Sequence, residues 1–230
     1  MRNRLSTPTI LALDAATAAC SAAVFSEGRV AARRLAPMAI GHAQALLPLV
    51  EAVMAESGAA FATLDYVAVT VGPGAFTGLR VGLAAAKGIG LAAGKPVGGV
   101  TTLEAVAHAA AMTARAEAAL LVAIESKRRE LFVQCFAADQ SPLGAPAAVP
   151  PEDLRMFVPA GALAIAGDAA GRAAEALAVA GRRATVLSDV SHPDAAHVAM
   201  VAAERLAGDG ALLPPRPLYL RAPDVTVARA

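Results

Sequence analysis

The sequence has no tryptophan, and phenylalanine and tyrosine together make up only 3% of its 230 residues. Ring platforms on which a single nucleic-acid strand stacks are therefore not expected. Only two cysteines occur, Cys20 and Cys135, both inside apolar runs. With no export signal they read as reduced, buried small hydrophobes and not as a disulfide framework. Charge of one sign is also lacking. The formal net charge is +1, whereas a chain that holds nucleic acid alone shows a larger or more concentrated basic surface. The apolar fraction is 57%, but alanine supplies much of it. No run of about 18 residues is both strongly apolar and free of charge, so no transmembrane helix is expected. The basic start Met1-Arg2-Asn3-Arg4 runs into Pro8 without the apolar segment of a signal peptide. A cytoplasmic chain without a membrane partner is the expectation.

What is present is an alternating α/β pattern. Apolar runs predict strands over 9–14, 21–26 and 29–35, with a turn at Glu27-Gly28. Helical spacing of Leu46, Leu47, Val50, Val53 and Met54 predicts a helix over 42–57. Pro48 should bend it or delay its start, and Gly58 ends it. A strand over 66–71 is broken by Gly72-Pro73-Gly74. Thr77 is placed to cap a helix running to Ala93, closed by Gly94. A strand over 97–100 and a helix over 102–114 follow. The order then restarts more thinly: a hairpin of 120–125 and 130–137 around Lys127-Arg128, a proline-rich loop over 142–151, a strand over 162–166, a helix over 169–180, a strand over 185–187 and a helix over 193–206. This predicts two similar lobes, 1–104 and 105–211, with an extended tail at 212–230 packing back on the first.

The most informative segment is V-G-P-G-A-F-T-G-L-R-V-G-L-A-A-A-K-G-I-G-L-A-A-G, beginning at Val71. A glycine loop ahead of a helix can present N–H groups to a phosphate. Gly72 and Gly74 are the candidates, but neither a P-loop nor a dinucleotide glycine pattern is present, and a tight structural turn is the alternative. Inside the helix, Gly78, Gly82, Ala86 and Gly90 recur every fourth residue. Each interior glycine costs up to about 1 kcal/mol relative to alanine. Two explanations stay open: close packing on the lobe's own sheet, or on another helix of this chain or of a partner. Leu79 and Leu83 flank the strip, and Leu46, Leu47 and Val50 could extend the same apolar surface.

Taken together, several segments resemble the TsaB (YeaZ) family of tRNA threonylcarbamoyladenosine synthesis. They are I-L-A-L-D-A-A-T at 10–17, H-A-Q-A-L-L-P-L at 42–49, G-P-G-A-F-T-G-L-R-V-G-L-A-A-A-K-G at 72–88, P-V-G-G-V-T-T-L-E-A-V-A at 96–107, E-S-K-R-R-E-L-F at 125–132 and P-L-Y-L-R-A-P-D-V at 217–225. The resemblance implies two RNase H-like lobes of the actin-like, Hsp70-like and sugar-kinase superfamily. It implies a non-catalytic scaffold or activator that pairs with a TsaD-type catalytic subunit, with a TsaE-type ATPase in the assembled complex and tRNA met only through that complex. The TsaD-type enzyme holds its metal partly through an H-x-x-x-H pair. Here that stretch reads Thr102-Leu-Glu-Ala-Val106, and Val106 cannot ligate a metal. The small-residue strip and the missing H-x-x-x-H together place the expected partner interface on Leu46, Leu47, Val50, Gly78, Leu79, Gly82, Leu83, Ala86 and Gly90, or pair the same helices in a homodimer.

Asp14-Ala-Ala-Thr17 stands where the superfamily carries a D-x-G-T phosphate loop. Asp14 could hold a hydrated magnesium ion and Thr17 a phosphate, although Ala16 in place of glycine hinders close approach. ATP with magnesium is expected only at the interface of a complex, and no other cofactor is expected. The alternative is an ATP-using kinase or ATPase of the same superfamily. His42, His108, His192 and His197 do not form a metal set by spacing, and no H-E-x-x-H or G-x-S-x-G occurs. Lys127, Arg128 and Arg129 form a basic hairpin tip: a solvated turn, or a contact to the tRNA backbone.

Overall fold

A computed structural model describes residues 7–113, 118–208 and 210–221. The basic start at 1–4 and the end of the tail motif at 222–225 lie outside these. The first sheet has the order β3-β2-β1-β4-β5, from β1 (Ile10–Thr17), β2 (Ala19–Ser26), β3 (Arg29–Pro37), β4 (Tyr66–Thr70) and β5 (Val97–Val100). β1, β2 and β3 are an antiparallel meander, and β4 and β5 join in parallel. Between them run α1 (His42–Ser57) and α2 (Phe76–Ala93), with α3 (Thr102–Ala111) after β5.

The second sheet repeats this plan. It holds β6 (Ala119–Glu125), β7 (Leu131–Phe136), β8 (Ala147–Val149), β9 (Leu163–Ala166) and β10 (Thr185–Val186) in the order β10-β9-β6-β7-β8. Read from the meander edge, β8-β7-β6-β9-β10 matches β3-β2-β1-β4-β5 strand for strand. α4 (Leu154–Phe157), α5 (Ala170–Val179) and α6 (Ala195–Ala207) complete the chain.

Alternation along β1 sorts the core. Leu11, Leu13 and Ala15 face α1 and α2, together with Leu46, Val50 and Leu83. Ile10 and Ala12 face the other way, onto Ala195, Val198, Ala199 and Ala202 of α6. All eight residues of β1 are buried, as a strand covered on both faces requires. The expected C-terminal lobe, 105–211, includes the segment of α6, yet α6 lays its apolar face on the first sheet. α3 packs on β6 through Leu103, Val106 and Ala110.

Three local expectations change. Thr77 does not cap α2. The helix starts at Phe76, its N-cap is Ala75 without a side-chain bond, and the Ala75 amide donates instead to the Ala16 carbonyl at 2.7 Å. Pro48 does not delay α1, which begins at His42 with Pro48 on its exposed side. The proline-rich loop contains β8, recruited as an edge strand by Phe132 and Val133 of β7. The strap at 212–221 returns to the first lobe, where Gly99 and Leu213 exchange backbone bonds and Leu218 N donates to Val71 O at 2.7 Å.

Candidate functional site

The glycine turn and the end of β1 do meet, but as a packed junction. A Cβ on Gly74 would lie 2.3 Å from the Ala16 carbonyl oxygen, and one on Gly78 would lie 2.0 Å from that of Ala15. Only glycine lets the start of α2 come this close. Gly72 has φ +111°, and its carbonyl accepts from Thr102 N at 2.9 Å. Asp14 lies beneath this junction, fully buried. Its Oδ1 accepts from the Thr70 hydroxyl at 2.6 Å and from Ala16 N at 3.1 Å, while Oδ2 has no partner. Burial pushes the carboxyl up to about 7, opposed by the bonds from Thr70 and Ala16 and helped by the nearby Asp194. The start of α2 packs over the turn that follows Asp14, on the carbonyls of Ala15 and Ala16. Thr17 is also turned away: its hydroxyl lies 3.2 Å from His192 Nδ1, and its carbonyl accepts from His42 Nε2 at 2.8 Å.

The small-residue strip of α2 lies on the lobe's own sheet. Gly82 faces Val69 and Ala15, and Gly90 faces Val97 and the Lys95 carbonyl. Leu46, Val50, Leu79, Leu83 and Ala86 are buried in the same lobe, at 4% exposure or less. Of the nine residues expected at a partner interface, only Leu47 is exposed. The sequence periodicity identified the packed side of α2 and not its free side. The free side carries a second strip at the same spacing, Ala84, Gly88 and Ala92, all exposed. A Cβ on Gly88 would meet nothing within 4 Å. Leu91 beside it is 87% exposed, and Leu47 on α1 is 51% exposed. Gly88 itself satisfies no need of the monomer.

Thr102 and Val106 are fully buried on α3. The next turn brings together two histidines that are remote in sequence. His108 Nδ1 and His197 Nδ1 are 2.9 Å apart, and His108 Nε2 lies 3.3 Å from Glu204. Arg205 binds Glu104, so α3 and α6 are clamped by a polar seam that spacing within one helix does not reveal. The basic run divides: Arg129 binds Glu152, whereas Lys127 and Arg128 face a cleft toward α2.

A model of the family described as TsaD, tRNA N6-adenosine threonylcarbamoyltransferase, matches residues 37–145. The tRNA threonylcarbamoyladenosine biosynthesis protein TsaB of Escherichia coli K12 is 35% identical over 57% of this chain and 56% of its own length. YeaZ from Pseudomonas aeruginosa superposes with a TM-score of 0.78 at 29% identity, covering 93% of this chain and 100% of that one. In sequence and in fold the chain is similar to the TsaB (YeaZ) proteins. It spans little more than half the length of the curated TsaB proteins it matches. A TsaD-type enzyme from Erythrobacter litoralis is 51% identical, but over only 27% of this chain and 18% of its own length. A nucleotide-bound dehydratase activator from Clostridium difficile aligns at a TM-score of 0.55 and 10% identity, which speaks for the fold alone. The fold of two sheets with one repeated strand plan is thus shared with YeaZ and with that activator. No helix among its described residues is long and apolar enough to cross a membrane.

Proposed function

We propose that this chain is a non-catalytic subunit in tRNA threonylcarbamoyladenosine synthesis, pairing with a TsaD-type transferase. The observation that carries the reading is the outer face of α1 and α2. Ala84, Gly88 and Ala92 form an exposed small-residue strip along α2, Leu91 is exposed on the same helix, and Leu47 is exposed on α1. A helix that gives up helical propensity at an exposed glycine fits a partner backbone passing close by. The contact set is thereby moved from the buried strip to Leu47, Ala84, Gly88 and Leu91. The sealed Asp14 supports a role without turnover and weighs against the ATP-using alternative.

The experiment is copurification of the intact chain with a coexpressed TsaD-type subunit, comparing wild type with Leu91→Glu. Leu91 is nearly free in the monomer, so the variant should fold normally. Its binding should fall at least about tenfold, because a carboxylate is then driven into a desolvated contact. Unchanged copurification would remove this face from the interface. Calorimetry of the isolated chain with ATP and magnesium addresses the enzyme alternative, and tight binding with turnover would favour it.

A further inference from the structure

Between the N-terminus of α2, the β6–β7 hairpin and the strap lies a cleft of about 740 Å³. Arg80, Lys127, Arg128 and Arg221 line it, and none of its described lining residues is Asp or Glu. In a chain of net charge +1 this is a local concentration of positive charge, focused by the low-dielectric walls. Arg221 is held at 3.5 Å by Glu130 from outside the lining.

Aromatic residues are scarce in this chain, yet Phe76, Phe132 and Tyr219, out of six phenylalanines and two tyrosines, share this cleft. Phe76 and Tyr219 stack with ring centroids 5.6 Å apart at 26°. The Arg80 guanidinium sits 3.7 Å from the centre of the Phe76 ring, and its Nε donates to the Tyr219 hydroxyl at 3.2 Å. One arginine therefore holds both rings before any ligand arrives, which lowers the cost of ordering them on binding. Phe76 and Tyr219 are still 50% and 45% exposed. Scarcity in the sequence does not keep rings apart, because the fold brings together those of residues 76 and 219.

We propose that this cleft takes one unpaired nucleotide of an RNA strand. Its base would stack on the Tyr219–Phe76 platform, with its phosphates set against Lys127 and Arg128. The inference rests on the RNA-directed role proposed above. A nucleoside triphosphate would bring magnesium, and the lining offers no carboxylate for it. A phosphodiester carries one charge per nucleotide and needs cations alone, which is what the lining supplies.

Composition supplies the probe. The chain has no tryptophan and two tyrosines, so Tyr66→Phe leaves Tyr219 as the only tyrosine emitter. A short single-stranded RNA of mixed sequence is titrated into the intact chain, and emission is corrected for RNA absorbance. Saturable quenching is expected. It should weaken with added salt and by about tenfold or more in a Lys127→Ala, Arg128→Ala double variant. An abasic strand of equal length should compete without quenching. The proposal is overturned by no quenching with RNA, by equal quenching with the abasic strand, or by AMP or magnesium-ATP saturating at concentrations no higher than the RNA. The double variant should still copurify with the TsaD-type subunit, so failure at this cleft is distinguishable from failure of the partner reading.

Discussion

Replacing Gly88 with alanine separates what the monomer wants from what a partner wants. In an exposed helix interior, alanine is better than glycine by about 0.8–1 kcal/mol, mostly through backbone entropy in the unfolded chain. The new Cβ meets nothing within 4 Å, so no clash offsets that gain. For a chain of this size the expected rise in Tm is about 2–4 °C, readable by circular dichroism. Gly78→Ala supplies the opposite sign. Its Cβ would lie 2.0 Å from the Ala15 carbonyl oxygen, a backbone atom that cannot swing aside. Overpacking of this kind costs about 1–3 kcal/mol. The partner reading adds a second effect. If a helix of the TsaD-type subunit passes over Gly88, the methyl group holds it off, and affinity falls by about tenfold, or about 1.4 kcal/mol, in a titration between purified subunits. A more stable monomer that binds more weakly is the expected combination. A lower Tm for Gly88→Ala would refute the open-space argument, and a higher Tm with unchanged affinity would refute the interface.

Two further predictions concern buried titrating groups. Asp14 ionises near pH 7 in the fold against 3.8 for the ordinary group, so the folded state binds the extra proton between those values. Its contribution to stability therefore falls as pH rises from about 4 toward 7 and is flat above. Asp14→Asn keeps an acceptor for Thr70 and Ala16 but cannot ionise. Its urea midpoint relative to wild type should improve from pH 5 to pH 8, and a constant difference would refute the assignment. His197 shifts the other way: burial, then the facing His108, holds its pKa below the ordinary 6.5. Stability from the neutral His197 imidazole is complete above pH 6.5 and is lost as pH falls through the lowered value. His197→Gln should flatten the acid limb of Tm against pH, and an unchanged limb would place the acid-sensitive group elsewhere.

The parts of the fold that were legible in the sequence are those whose signals are local. Helix α1 follows from its apolar spacing and from Gly58, which ends it at positive φ. Strand β5 follows equally from its flanks. The strip Gly78, Gly82, Ala86 and Gly90 was equally visible, but periodicity does not say which surface fills a groove. The filler is the lobe's own sheet: Ala15 of β1 at Gly78 and Gly82, Val69 of β4 at Gly82, and Val97 of β5 at Gly90. The seam of His108 and His197 joins residues on two different helices, and the ring pair Phe76–Tyr219 joins a helix to the strap. Neither leaves a trace at short range. The destination of α6 was hidden for a related reason: its alanine-rich face, Ala195, Ala199 and Ala202, suits either sheet, and the Asp194 cap beside Arg33 and Ser21 ties it to the first.

The duplicated plan explains why the ligand cleft lies where it does. In open α/β sheets, ligands bind beyond the carboxyl ends of the parallel strands. In both lobes that position is closed by the same device. A glycine follows the fourth strand at positive φ, Gly72 at +111° and Gly167 at +105°. The helix after it then docks its first amides on the lobe's first strand: Ala75 N on Ala16 O at 2.7 Å, and Ala169 N on Ala123 O at 3.1 Å. In each case a side chain in the turn would strike a carbonyl of that strand, Gly74 against Ala16 and Gly167 against Ala123. Each lobe thus uses its own strand carbonyl where a phosphate acceptor would otherwise sit at the helix N-terminus. Positive charge from both lobes meets between them, on Arg80 from the first and on Lys127 and Arg128 from the second. A polyanion bridging the two lobes should therefore slow hydrogen exchange in both the α2 N-terminus and the β6–β7 hairpin. Protection in one lobe alone would mean that the two halves do not act as a single site.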